Sequence, residues 1–290
     1  MLQSMTGFGK ASGTFSNKKI TVEIKSLNSK NLDLFVRMPS LYKQNEIELR
    51  KLIGGQLDRG KVECSISVEQ IGNETSQKLN KNLIKSYYAQ LKEISEELDL
   101  PQEGLMATLV KMPDVFATET EDLDPAEWGA ILDLVKAAIQ EHINFRKEEG
   151  KRLAEEFTLR INNIKTGFNR IPEFEENRIA SIKERIENNL EEFVGITKID
   201  KNRFEQELIY YLEKFDISEE KHRLSNHLNY FIETLQQPIS QGKKLGFISQ
   251  EIGREINTLG SKSYHSEMQK LVVGMKDELE KIKEQVLNTL

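Results

Sequence analysis

The sequence predicts an α+β protein: an N-terminal antiparallel-rich sheet with helices, followed by a long-helix, coiled-coil-like C-terminal body. Three observations carry this expectation. Apolar and polar residues alternate in short runs between residues 20 and 68. From about residue 130 the apolar spacing changes to steps of three and four. The tail residues Met268, Val272, Met275, Leu279, Ile282 and Val286 approach a heptad seam. The expected division is an α+β domain with a helical extension at 1–150, then a helical domain at 151–290.

The elements follow in order. Thr6–Gly7–Phe8–Gly9 lacks phosphate-loop spacing and reads as a tight backbone site at a strand edge. Ile20, Val22, Ile24 and Ser26 share one face of a strand, opposite Thr21, Glu23 and Lys25. Leu32, Leu34 and Val36 form a second strand stopped by Pro39, and Val62, Cys64, Ile66 and Val68 form a third. Asn45 to Leu57 reads as a helix ending near Asp58–Arg59–Gly60. Residues 71–80 read as a linker, Leu83 to Leu98 as a helix, and 118–127 as an acidic loop. Asp124 and Pro125 then form a helix start, with Trp128, Ile131, Leu132, Val135 and Ile139 inward. Leu153, Phe157, Ile161, Ile164, Phe168 and Ile171 continue the pattern to Pro172, which should interrupt it. Ile179, Ile182, Ile186, Leu190 and Phe193 resume it. The tail seam packs either on the chain's own long helix or on a second subunit.

Composition narrows the class. Lys and Arg number 41 against 47 Asp and Glu, a net charge of −6. That acidic balance argues against indiscriminate polyanion binding but says little about a local site, while the mildly basic head (1–70) and the acidic stretch 71–145 suggest separate faces with separate partners, or ordinary surface variation. A single Cys excludes a disulfide framework and a Cys-based zinc centre. Cys64 lies on the apolar strand face and reads as an inert thiol. No apolar run reaches the ~20 residues that span a bilayer, and no signal-peptide pattern opens the chain. We expect a soluble cytoplasmic protein without a membrane partner. Phosphate-loop, dinucleotide, HExxH and GxSxG motifs are missing.

The informative region is 203–262. On a helix, Asp216, Glu220, Arg223 and His227 fall on one polar stripe. Asp216 and Glu219 also fit a helix start, where caps and acids favour the first turn. After Gly246, Glu251, Glu255, Thr258 and Lys262 form a second stripe with Arg254 beside it. Carboxylates four residues apart can share a divalent cation. They can equally pair with Arg254 and Lys262 on a solvated face. Phosphodiester cleavage needs a metal or proton-transfer group at the reacting oxygens and cations on the flanking phosphates. The two stripes contain those parts.

MLQSMTGFGKA at 1–11, VEIKSLNSKNLDL at 22–34 and RGKVEC at 59–64 together resemble the N-terminal signature of the bacterial YicC/YloC family. DISEEKHRLSNHL at 216–228 and QGKKLGFISQEIGREINTLGSKS at 241–263 resemble its C-terminal signature. The resemblance runs in order over essentially the whole chain. It implies an endoribonuclease dependent on a divalent metal, acting as a ring-like homo-oligomer, a hexamer. Two positions depart from the family pattern. Ser29–Lys30 stands where a His-Arg or His-Lys pair is common, and Lys243 stands where Arg is common. Lys243 weakens any bidentate phosphate contact there.

The expected function is metal-dependent cleavage of RNA phosphodiester bonds. Catalytic and metal-binding work is assigned to Asp216, Glu220, His227, Glu251 and Glu255, with magnesium or manganese preferred over zinc. Lys25, Arg59, Lys61, Arg146, Arg152, Arg223, Arg254 and Lys262 are assigned to phosphates, with Asn28 and Asn257 as neutral donors. Single-stranded or looped RNA is expected, since its bases and backbone are accessible. The rival classes are a non-catalytic RNA-binding adaptor and a coiled-coil assembly protein.

Overall fold

The computed structural model describes residues 2–71, 78–99, 101, 103–117, 123–175, 180–181, 183–184, 188 and 201–290. Strands β1 (Gly7–Phe15), β2 (Lys18–Leu27), β3 (Leu32–Arg37) and β4 (Gly60–Gln70) form a sheet in the order β1-β2-β4-β3. The β1–β2 and β2–β4 pairs are antiparallel, as the alternation leads one to expect. The β3–β4 pair is parallel, because helix α1 (Glu46–Gly54) forms the crossover that parallel neighbours require.

One face of the sheet buries Ile20, Val22, Ile24, Val62, Cys64 and Ile66 against Trp128, Ile131 and Val135. Those last three belong to helix α4 (Pro125–Asn169), which starts where Asp124 Oδ1 accepts from the Ala126 amide at 2.8 Å. Strand β1 has little apolar alternation to announce it, because Gly7, Gly9 and Gly13 stand at three of its five inward positions, beside Ala11 and Phe15. The helix explains the glycines. A Cβ on Gly9 would lie 2.1 Å from the Ala138 carbonyl oxygen, and one on Gly7 would lie 2.5 Å from His142 Nε2. Only bare backbone lets α4 cross this edge strand so closely.

Two-residue strands β5 (Lys78–Leu79) and β6 (Phe116–Ala117) pair, bracketing helices α2 (Lys81–Glu97) and α3 (Leu105–Leu109). Asn80 caps α2 by accepting from the Leu83 amide at 3.2 Å. Residues 72–77 of the expected linker and 118–122 of the acidic loop, with Asp122, lie outside the described residues.

Helix α4 is continuous for 45 residues, about 68 Å at 1.5 Å per residue. Its first half packs on the sheet, and its second half buries Leu153, Phe157, Ile161 and Ile164 in a helical core. Residue 150 lies inside this helix. Pro172 sits in a 3-10 turn (Ile171–Phe174) just beyond its end. Ile179, Ile182, Ile186, Leu190 and Phe193 lie outside the described residues.

Further along the chain lie helices α5 (Lys201–Lys214), α6 (Ser218–Leu235), α7 (Gly242–Lys262) and α8 (Ser266–Val286). Every residue of the tail seam is buried in the same core as α4, α6 and α7. Of the two partners open to that seam, the chain's own helices are the ones that fill it. Residues near both ends meet on α4 and α7. Met5 N donates to Asn288 O at 2.7 Å, Leu290 N to Gln3 O at 3.0 Å, and Gly242 N to Leu290 O at 2.6 Å. Among the described residues no helix is long and apolar enough to cross a membrane.

Candidate functional site

Helices α6 and α7 pack on each other through Leu224, Leu228, Phe231, Ile248, Ile252 and Ile256. The angular position of each polar residue follows from that apolar face. His227 precedes the buried Leu228 on α6, and Glu251 and Glu255 flank Ile252 and Ile256 on α7. The pairing brings these three side chains to one point. A ring nitrogen of His227 and carboxylate oxygens of Glu251 and Glu255 all lie within 4.8 Å of one another.

The three differ in their surroundings. Glu251 is half-buried and reaches Arg254 at 3.6 Å, as a solvated-face reading would have it. Glu255 is only 4% exposed as a residue, makes no hydrogen bond or ion pair among the described residues, and keeps its carboxylate oxygens in contact with solvent. The convergence of these three donors on one point is what distinguishes the place from an ordinary polar helix face. The donor set, two carboxylates and one imidazole, fits a divalent cation that accepts both oxygen and nitrogen.

The other two predicted ligands are elsewhere. Asp216 stands two residues before the first residue of α6, where its Oδ1 accepts from the Ser218 hydroxyl at 2.8 Å and the Ser218 amide at 3.3 Å. Those bonds, with Lys262 nearby, hold its carboxyl below the usual range. Glu220 Oε1 accepts from Lys262 Nζ at 2.8 Å, and the same ammonium donates to the Asp216 carbonyl at 2.7 Å. The stripe from 216 to 227 therefore divides: its first turn is joined to the C-terminal end of α7, and only His227 reaches the cluster.

The predicted phosphate contacts divide too. Arg223 and Arg254 are exposed near the cluster, each in a surface ion pair, with Glu219 and Glu251 respectively. Asn257 is exposed on α7, and Arg152 is exposed on α4. In the head, Lys61 is exposed, and Lys25 pairs with Glu23 at 3.1 Å and lies over the Phe8 ring. Arg59 Nε donates to Ser29 O at 3.0 Å, and Asn28 Nδ2 donates to Leu287 O at 2.7 Å.

Arg146 is a correction. It is 2% exposed, and one terminal nitrogen donates to Met5 O, Ser26 Oγ and Arg59 O at 3.0–3.1 Å. This guanidinium joins the N-terminal segment, the sheet and α4, and does not face solvent. His142, also buried, completes the network through Nε2 to Ser26 Oγ at 2.8 Å. Neither role was visible in the one-dimensional pattern, where Arg146 reads as one more cation on a charged helix. Phe247 was also passed over. It stands one turn before Glu251 on the same stripe of α7 and is 68% exposed, a signal that the spacing does contain.

A sheet-bearing head joined by one long helix to a helical body with a His/Glu/Glu cluster is the arrangement that carries both sequence signatures. Residues 2–155 match the N-terminal region and residues 171–289 the C-terminal domain of the YicC-like endoribonucleases, and the chain belongs to that family. It is 32% identical over 291 residues to a protein of Clostridioides difficile named probable endoribonuclease YicC, with 99% of each chain covered. A protein of the same name from Haemophilus influenzae is 28% identical over 289 residues, again with 99% of each covered.

Proposed function

We propose that this chain is an endoribonuclease whose active centre is the His227–Glu251–Glu255 cluster and whose activity depends on a divalent cation, magnesium or manganese, held there. Family membership supports the reaction class. The convergence of His227, Glu251 and the largely buried Glu255 on one point supports the location. A cation bound there would polarise the phosphodiester and acidify a bound water.

The chain's own groups supply the rest. Glu251 and Glu255 bring negative charge, and His227 brings a ring nitrogen able to bind metal or move a proton. Arg223 and Arg254 flank the cluster in exposed ion pairs. Such pairs hold with only ~0.2–1 kcal/mol, so a phosphate can displace the carboxylate partner. Single-stranded or looped RNA is the substrate in this reading. Asp216, Glu220 and Lys262 serve by tying α6 to α7 at the registry that brings His227 to the glutamates. A cytoplasmic location accords with the lone, buried, reduced Cys64. A homo-oligomer, a hexamer, is inferred from the family alone, since the tail seam is filled within the chain.

The test is cleavage of a labelled single-stranded RNA by highly purified protein across a metal titration, with chelator as control. Glu251→Gln and Glu255→Gln should each lower cleavage by more than the ~10–100-fold typical of losing a side chain that only orients a metal ligand. Both should weaken manganese binding while the fold survives. Wild-type cleavage by both folded variants would overturn the metal site. RNA binding without any cleavage by the parent would leave the adaptor function instead.

A further inference from the structure

A groove of about 260 Å³ lies over the first turns of α7, where the head, α7 and the end of α8 meet. Arg59 comes from the head, Lys243, Gly246, Phe247 and Gln250 from α7, and Leu287 from just beyond α8. Among the described residues no Asp or Glu lines it. Phe247 and Leu287 are both 68% exposed. A lone exposed apolar side chain carries no meaning. Here an exposed aromatic ring and an aliphatic side chain share one groove with two cations, over the first turns of a 21-residue helix.

That combination matches one chemistry. An aromatic ring offers a stacking face to any nucleobase, and flanking cations follow the phosphates of a single strand. The geometry also connects with the cluster. Phe247, Glu251 and Glu255 are spaced by four residues along one stripe of α7, so the Phe247 backbone stands about 6 Å and 12 Å along the axis from those of the two glutamates. The groove is held in place on both sides. Asn28 bonds the Leu287 carbonyl, and Arg59 Nε is fixed on Ser29 O.

We propose that this groove is a nucleotide subsite for single-stranded RNA next to the cleavage centre. The base lies against Phe247 and Leu287, and Lys243 and Arg59 contact the adjoining phosphates. The ligand class rests on the RNA-cleaving function proposed above. The specific residues rest on the groove. A duplex, whose bases are already stacked in pairs, does not present a free base to the ring.

The test measures fluorescence anisotropy of a short labelled single-stranded RNA in chelator, so that binding is read without cleavage. Phe247→Ala and Phe247→Leu should each weaken binding by about tenfold, the order expected for one lost base stack. Phe247→Trp should bind as the parent does. Leucine separates stacking from plain apolar packing. Lys243→Ala should weaken binding and lower the salt dependence by about one phosphate contact. A duplex RNA should bind the Phe247 variants and the parent alike. Phe247 lies outside both cores, so circular dichroism should be unchanged.

Parent-like binding by Phe247→Ala and Phe247→Leu overturns the subsite. A change in molar mass with unchanged RNA affinity overturns it too, and assigns the groove to subunit contact. The metal reading fails separately: manganese titration should be normal in Phe247→Ala and impaired in Glu251→Gln. Normal manganese binding in Glu251→Gln, with weak RNA binding in Phe247→Ala, would remove the metal site and leave the subsite.

Discussion

Lys262 Nζ donates to Glu220 Oε1 at 2.8 Å, joining the last turn of α7 to the first turn of α6. Glu220 is 8% exposed, and its Oε2 has no partner among the described residues. The ion pair is therefore a registry contact in a partly buried place. It places His227, two turns further along α6, beside the glutamates of α7.

Lys262→Met should destabilise the fold by about 1–3 kcal/mol, since it leaves a largely buried carboxylate without its ammonium. Adding Glu220→Gln to that variant should recover part of the loss. Urea unfolding of both single variants and the double variant measures the coupling. Strictly additive losses would remove the registry role.

Gly9→Ala should be severe, costing more than the ~1–3 kcal/mol usual for overpacking, because its Cβ would meet the Ala138 carbonyl oxygen and His142 amide rather than a movable side chain. Gly129→Ala is the contrast. Its Cβ meets nothing within 4 Å in the first turns of α4, so a gain of about 0.5–1 kcal/mol is expected. Thermal unfolding of the two variants should move in opposite directions.

Acid should weaken the junction of head and α4. Burial, with the Arg146 guanidinium adding to it, pushes His142 down to about 4. In the unfolded chain this group titrates near ~6.5, so between those values the unfolded state binds more protons. Its contribution is complete above pH ~6.5 and is lost as pH falls toward 4. His142→Gln keeps a polar partner for Ser26 and cannot titrate, so its Tm should fall less from neutral pH to pH ~4. Parallel Tm curves for parent and variant would count against this.

Burial pushes the Cys64 thiol up to about 12, and the side chain is fully enclosed between sheet and helix. Native protein at neutral pH should leave a thiol reagent unreacted, while protein in denaturant should react with one equivalent. Rapid native labelling would show that β4 and α4 separate readily.

Much of this architecture is legible one residue at a time. Period-two runs mark β2, β3 and β4, and Asp124–Pro125 marks the start of α4, because local chemistry decides those features. Spacing also places Glu251 and Glu255 on one side of α7, since a helix repeats every 3.6 residues whatever surrounds it. Strand β1 shows in the sequence only as a tight backbone site at Thr6–Gly9, and the purpose of Gly7, Gly9 and Gly13 appears only when α4 lies across them. The division of the five predicted ligands was hidden for a related reason. Periodicity sets a residue's angle about its own helix but not its registry against a neighbour. Asp216, Glu220 and His227 share one stripe, yet packing of α6 on α7 sends the first to Ser218, the second to Lys262 and the third to Glu251 and Glu255. Arg146 follows the same rule. Its charge is in the sequence, but its burial against Met5, Ser26 and Arg59 exists only once sheet, helix and N-terminal segment have come together, because burial belongs to the assembled surfaces and not to the residue.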